Sequence, residues 1–103
     1  MKIENLMDTV GLMTSLDYKE RFIAEYWQTR LRQEALHQII VKDEAGTLRF
    51  TPLCRLELLK KQESCMRQYL ECLEIRAEIE GIDLEHARID PTWKPPVEEE
   101  VEA

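Results

Sequence analysis

One arginine sits where an apolar side chain belongs. In LEIRAEIE, Arg76 falls on a heptad stripe that otherwise reads Leu58, Cys65, Tyr69, Cys72 and Ile79. A guanidinium there either reaches a glutamate of a neighbouring helix or waits for a phosphate or carboxylate, which it can grip with two parallel hydrogen bonds. Tyr69, one step earlier on the stripe, offers a ring to a base or simply fills a core. A second group begins at Tyr26, Trp27 and Arg30, two aromatics and a cation within little more than a turn. Arg55, Lys60, Lys61 and Arg67 then enrich the start of the next segment in positive charge. Aromatics interleaved with cations suit small nucleotides, whose bases stack and whose phosphates need donors. Taken one at a time, these are also ordinary packing or solvated side chains. The candidate ligand-binding set is therefore Tyr26, Arg30, Lys60, Lys61, Arg67, Tyr69 and Arg76, and no residue is assigned a catalytic role.

Catalysis has little to stand on. The chain has no Gly-rich phosphate loop, no GxSxG elbow and no HExxH. Glu71, Glu74 and Glu78 lie at helical spacing, but without an ExxH partner such a row reads as a solvated helix face, and no metal is expected. Cys54, Cys65 and Cys72 form no CxxC pair, and His37 and His86 lie near none of them in sequence. They read as reduced thiols that serve as small buried apolar side chains. No cofactor is expected, and the chain reads as a non-enzyme.

The elements that must position these residues are helices. Ile3, Leu6, Met7 and Val10 fall at helical spacing, which predicts a short helix over 1–14. Asp17 followed by Glu20 is a capping-box pattern and starts a long helix over 17–42, with Gly46 as its stop. Leu48 and Phe50 are expected to anchor the connector onto the core. A second long helix is expected over 52–80, opened by Thr51 and Pro52 or starting a few residues later, and closed by Gly81. The first long helix carries two apolar stripes, Phe22, Tyr26, Leu36 and Ile40 on one and Ile23, Trp27 and Leu31 on the other. The second carries Leu59, Met66, Leu70, Leu73 and Ala77 beside the stripe that holds Arg76. An antiparallel helical hairpin covers one stripe of each helix, and the others call for a neighbour. The expectation is an all-α protein, a single helical domain over 1–82, assembling into an oligomeric bundle through self-association. Residues 83–103 are expected to form an acidic, proline-containing tail.

Charge separates the same regions. The chain has 103 residues and a formal net charge of −7. Residues 17–50 carry six basic and six acidic side chains, whereas residues 83–103 carry two and seven. The body is thus near neutral, which leaves room for a local anion site but gives duplex nucleic acid no basic face to follow. No apolar run is long enough to cross a membrane and no secretory layout opens the chain, so a cytoplasmic protein is expected.

DYKERFIAEYWQTRLRQEALHQIIVKDEAGTLRF and TPLCRLELLKKQESCMRQYLECLEIRAEIEGI together resemble a group of small helical proteins of crAss-like phages, over about residues 17–82. DYKERFIAEY and YLxxLEIRAEIEGI are the most specific pieces. In architecture and a few residues, the chain is also similar to the anti-CBASS cyclic-nucleotide sponges of phages. Those pair a long helix with a second one ending in LxxRA and assemble into hexamers. The resemblance implies ligand pockets between protomers, with Tyr26 at the position of a tyrosine that holds cyclic dinucleotides and Arg76 at the LxxRA arginine. No lysine of this chain takes the place of that family's lysine. The implied function is a phage-encoded antagonist of host immunity, in the host cytoplasm, that sequesters a cyclic or modified nucleotide signal at protomer interfaces. Two other readings stand beside it: a helical phage protein that inhibits a host protein by direct binding, and a structural oligomer without a ligand.

Overall fold

A computed structural model describes residues 3–85, and every regular element among them is helical. A 3-10 turn at Leu6–Thr9 runs into a one-turn helix, α1, at Val10–Met13. The long helices are α2, Tyr18–Ala45, and α3, Leu56–Glu80. The acidic segment expected after residue 82 lies outside the described residues from His86 onward.

Local chemistry sets the boundaries. The N-terminal helix expected over 1–14 is shorter because Asn5 and Asp8 form a capping box: Asp8 N donates to Asn5 Oδ1 (3.2 Å) and Asn5 N donates to Asp8 Oδ2 (3.1 Å). That box opens a tight turn at Leu6. Asp17 caps α2 by accepting from Lys19 N at 2.9 Å. The reciprocal bond expected from Glu20 is not the one formed, because Asp17 N donates to Ser15 Oγ (2.9 Å) instead. Free of Gly and Pro, α2 continues past Lys42 to Ala45, and Gly46 ends it at φ 80°. Thr47 N and Leu48 N both donate to Lys42 O, closing the helix end. The second long helix starts at Leu56, the later of the two starts expected, and not at Pro52. Lys60 already pairs with Glu44 near the end of α2. Earlier helical turns would therefore project beyond α2 with nothing to pack on. The connector instead leaves Phe50 exposed and Leu48 half-buried, so Phe50 is not the anchor expected of it.

Contacts across the long helices run in opposite order. Tyr18 meets Glu80, Tyr26 meets Glu74, Gln33 meets Glu63 and Glu44 meets Lys60, so α3 returns along α2. Between them lie Phe22, Ile23, Tyr26, Leu70, Leu73 and Ala77, joined at one end by Ile3, Leu12 and Ile82. Leu73 is the deepest of these, 2% exposed, and burying such a side chain contributes about 1.5–3 kcal/mol. The stripe Leu59, Met66, Leu70, Leu73, Ala77 thus faces α2. Trp27 and Leu31, the second stripe of α2, need no separate chain. They pack with Leu84 against the same core, and Trp27 Nε1 donates to Leu84 O at 2.6 Å. Thr9, fully buried, accepts from Gln28 Nε2 (2.9 Å) and donates to Leu6 O (2.7 Å), which docks the N-terminal turn on α2. The second stripe of α3 stays exposed, and its Cys65 and Cys72, like Cys54 in the connector, are exposed rather than buried as expected, because that face of the helix turns away from α2. No described helix is long and apolar enough to cross a membrane.

Candidate functional site: a polar cleft between the long helices

Along one side of the α2–α3 contact, small and polar side chains leave a solvent-open cleft of about 670 Å3. Its walls are Tyr26, Arg30, Gln33 and Glu34 from α2, and Ser64, Arg67, Gln68, Glu71 and Glu74 from α3, over a floor of Leu70. This volume is in the range that accommodates a nucleotide-sized molecule. Two periodicities create it. Tyr26, Arg30, Gln33 recur at four and three residues, as do Glu63, Arg67, Leu70, Glu74 at four, three and four, so each set shares one helix face.

Tyr26 anchors the cleft. Its ring is buried, its Oη donates to Glu74 Oε2 at 2.7 Å, and it accepts from Arg30 Nη1 at 3.2 Å. Burial first, and then the hydrogen bond to Glu74, push its pKa up to about 12, so the phenol keeps its proton at neutral pH. Arg30 lies over the Trp27 ring, 4.8 Å from its centroid, and its Nε donates to Glu34 Oε2 at 3.1 Å. Burial pulls the Arg30 pKa down, but the bonds to Glu34 and Tyr26 outweigh it and hold the pKa above the ordinary value. Its charge is permanent.

Glu63 closes one end of the cleft. It is 4% exposed, and Gln33 Nε2 donates to its Oε2 at 2.5 Å. Arg67 Nε lies 2.9 Å from the same oxygen, and His37 Nδ1 lies 3.5 Å away. Carboxylates are buried only when neutralised and hydrogen-bonded in this way. The pairing uses the Nε of Arg67, on the inner side of a guanidinium that is itself largely exposed. Chemically the cleft is a mixed surface. Two guanidiniums, a phenol and side-chain amides supply donors, and the Glu34, Glu71 and Glu74 carboxylates supply acceptors.

Three of the seven residues expected to bind ligand meet here: Tyr26, Arg30 and Arg67. The other four do not. Lys60 pairs with Glu44 beside the connector, which raises its pKa, and Lys61 is exposed on the next position. Tyr69 is exposed on the outer stripe of α3. Arg76 sits on the opposite side of the helix pair, 4.9 Å above the Phe22 ring, with Nη2 donating to Tyr18 Oη (2.5 Å) and Nε to Glu80 Oε2 (3.2 Å). Its partner is thus on its own helix and the pair is solvent-exposed, which limits it to less than about 1 kcal/mol. Gln33, Glu63 and Gln68 went unmarked in the sequence, although their spacing from Tyr26 and Arg67 would have placed them on the same faces. Among the described residues, no group of three or more His, Cys, Asp and Glu side chains gathers as a metal would require.

Fold and site together define a small all-helical protein, built on two long helices with a charged, solvent-open cleft between them. The chain belongs to the Sequestin family, whose sequence model matches residues 16–79. That match takes in α2, the connector, nearly all of α3 and every residue of the cleft. No curated protein and no solved structure matches the chain.

Proposed function

We propose that this protein is a non-catalytic sequestering protein of phage origin that withdraws a small nucleotide signal, cyclic or otherwise modified, from the host cytoplasm. The observation that carries the reading is the cleft around Tyr26, Arg30 and Arg67. A simple anion would meet Glu34, Glu71 and Glu74 as well as the two guanidiniums. A nucleotide suits both, because its phosphate takes the arginine donors while its hydroxyl and amino groups donate to the carboxylates. The family's name, Sequestin, is compatible with a sequestering role, and binding without turnover lowers the free signal by mass action alone.

Titration calorimetry against cyclic mono- and dinucleotides and free nucleoside diphosphates tests this. At least one class should bind the wild type in a fixed ratio to chains. Arg30→Gln should weaken that binding roughly ten- to hundred-fold, since a charge-assisted contact is worth about 1.5–3 kcal/mol. Purified protein that carries no nucleotide absorbance and binds no member of the panel would remove the sequestering role.

A further inference from the structure

Among the described residues, Glu63 is the only buried side chain that carries a charge, and it stands behind the cleft wall instead of in it. Its Oε2 gathers one wall residue from each long helix. Gln33 of α2 donates to it from Nε2 at 2.5 Å, and Nε of Arg67, one turn along α3, lies 2.9 Å away. His37 Nδ1, 3.5 Å off, is the third group on that oxygen. Packing does not account for a carboxylate here, since an apolar side chain of similar volume in such a place is often neutral or stabilising. What the carboxylate fixes is the set of groups its neighbours offer. Arg67 uses only Nε, no other described group pairs with it, and its side chain is 61% exposed. Both terminal nitrogens therefore remain as donors in the cleft that Arg67 lines. Gln33, with Nε2 given to Glu63, keeps its Oε1 as an acceptor.

Position along α3 separates these donors from the acids of the same helix. Ser64, Arg67 and Gln68 form the wall at the Glu63 end, and Glu71 and Glu74 form it on the following turns, where Tyr26 donates to Glu74. From Arg67 to Glu74 is about 10 Å at 1.5 Å per residue, enough to part a phosphate from the base it carries. We infer that Glu63 is a positioning residue for a phosphate subsite at this end of the cleft. By holding the Nε edge of Arg67, it presents the two terminal nitrogens to a phosphate of the ligand, whose base then lies toward Glu71, Glu74 and Tyr26. A guanidinium grips phosphate with two parallel donors, and one already held in place loses less freedom on binding. The subsite rests on the nucleotide reading of the cleft.

A double-mutant cycle tests this, with ADP and cyclic di-AMP as phosphate probes and adenosine as the control that lacks phosphate. Glu63→Gln and Arg67→Gln should each weaken the phosphate probes by roughly ten-fold or more. The double variant should bind no more weakly than Arg67→Gln alone, because Glu63 acts through Arg67. Adenosine should bind all four proteins alike. A residue that only supports the helix pair would instead lower every affinity, adenosine's included, by a factor that Arg67→Gln leaves unchanged. If Glu63→Gln does not fold, Arg67→Lys carries the test. Arg67 is largely exposed, so the fold survives, and the lysine keeps the charge without the outer pair of donors. It should lose nearly as much affinity as Arg67→Gln. Additive losses in the double variant, full affinity in Glu63→Gln or full affinity in Arg67→Lys would overturn the positioning role. Any of these, with the wild type still binding, leaves the sequestering reading standing. A wild type that binds neither phosphate probe overturns the subsite, and the wider nucleotide panel then decides the sequestering reading on its own.

Discussion

Tyr26 shows how one side chain joins core and cleft. Its ring packs with Phe22 and Leu73 while its hydroxyl bridges Glu74 and Arg30, so both helices meet on one phenol. The raised pKa has a definite consequence for stability. The unfolded chain ionises the phenol near pH 10, whereas the folded chain holds the proton to about pH 12. Stability contributed by this group is thus complete below pH 10 and is lost as pH rises through 12. Tyr18, whose hydrogen bond to Glu80 also raises its pKa, acts in the same direction. Tyr26→Phe should cost about 1 kcal/mol at neutral pH, the net worth of a hydrogen bond, and should blunt the alkaline loss without abolishing it. Urea unfolding at a series of pH values from neutral to 12 measures both. A variant that loses stability as steeply as the wild type above pH 10 would assign the alkaline transition to other groups.

Among the helices, the stops are sharper determinants than the starts. Gly46 and Gly81 end α2 and α3 at φ 80° and 73°, and neither position would crowd an added Cβ. The penalty for alanine there is therefore one of backbone conformation, about 1–2 kcal/mol for a left-handed residue with a side chain. Gly11 lies inside α1 with negative φ and equally open space, so Gly11→Ala should instead stabilise by about 0.5–1 kcal/mol. Thermal unfolding of the three alanine variants should split them two against one. Equal effects at all three positions would contradict the conformational account.

At the scale of the whole molecule, the two stripes of α3 have different tasks although their compositions are alike. Leu70, 6% exposed, belongs to the core shared with α2, whereas Ile79 faces outward. Leu70→Asp should bury an unpaired carboxylate and cost several kcal/mol, a large part of the 5–15 kcal/mol that holds a domain of this size. Circular dichroism should then show a broad loss of helix at 25 °C. A cooperative transition near the wild-type temperature would mean that Leu70 does not carry the core.

The sequence by itself left open which α3 stripe meets α2, but it determined the helical class, the two long helices, both glycine stops and the Asp17 cap. All of these depend on spacing and on side chains that bond their own backbone within a turn, and such interactions are complete in the local chain. The site was only half legible. Tyr26, Arg30 and Arg67 were marked by residue type, but so were Lys60, Lys61, Tyr69 and Arg76, and nothing local distinguishes an arginine beside a cleft from one resting on Phe22. That choice belongs to the tertiary structure, because the rotation of α3 against α2 decides which face of each helix meets the other. The same rotation buries Glu63 beneath Gln33 and Arg67. It also turns Arg76 away to Tyr18 and Glu80. Coverage of Trp27 and Leu31 was likewise decided by contact between distant segments, Leu84 and the N-terminal turn, whose approach no periodicity records.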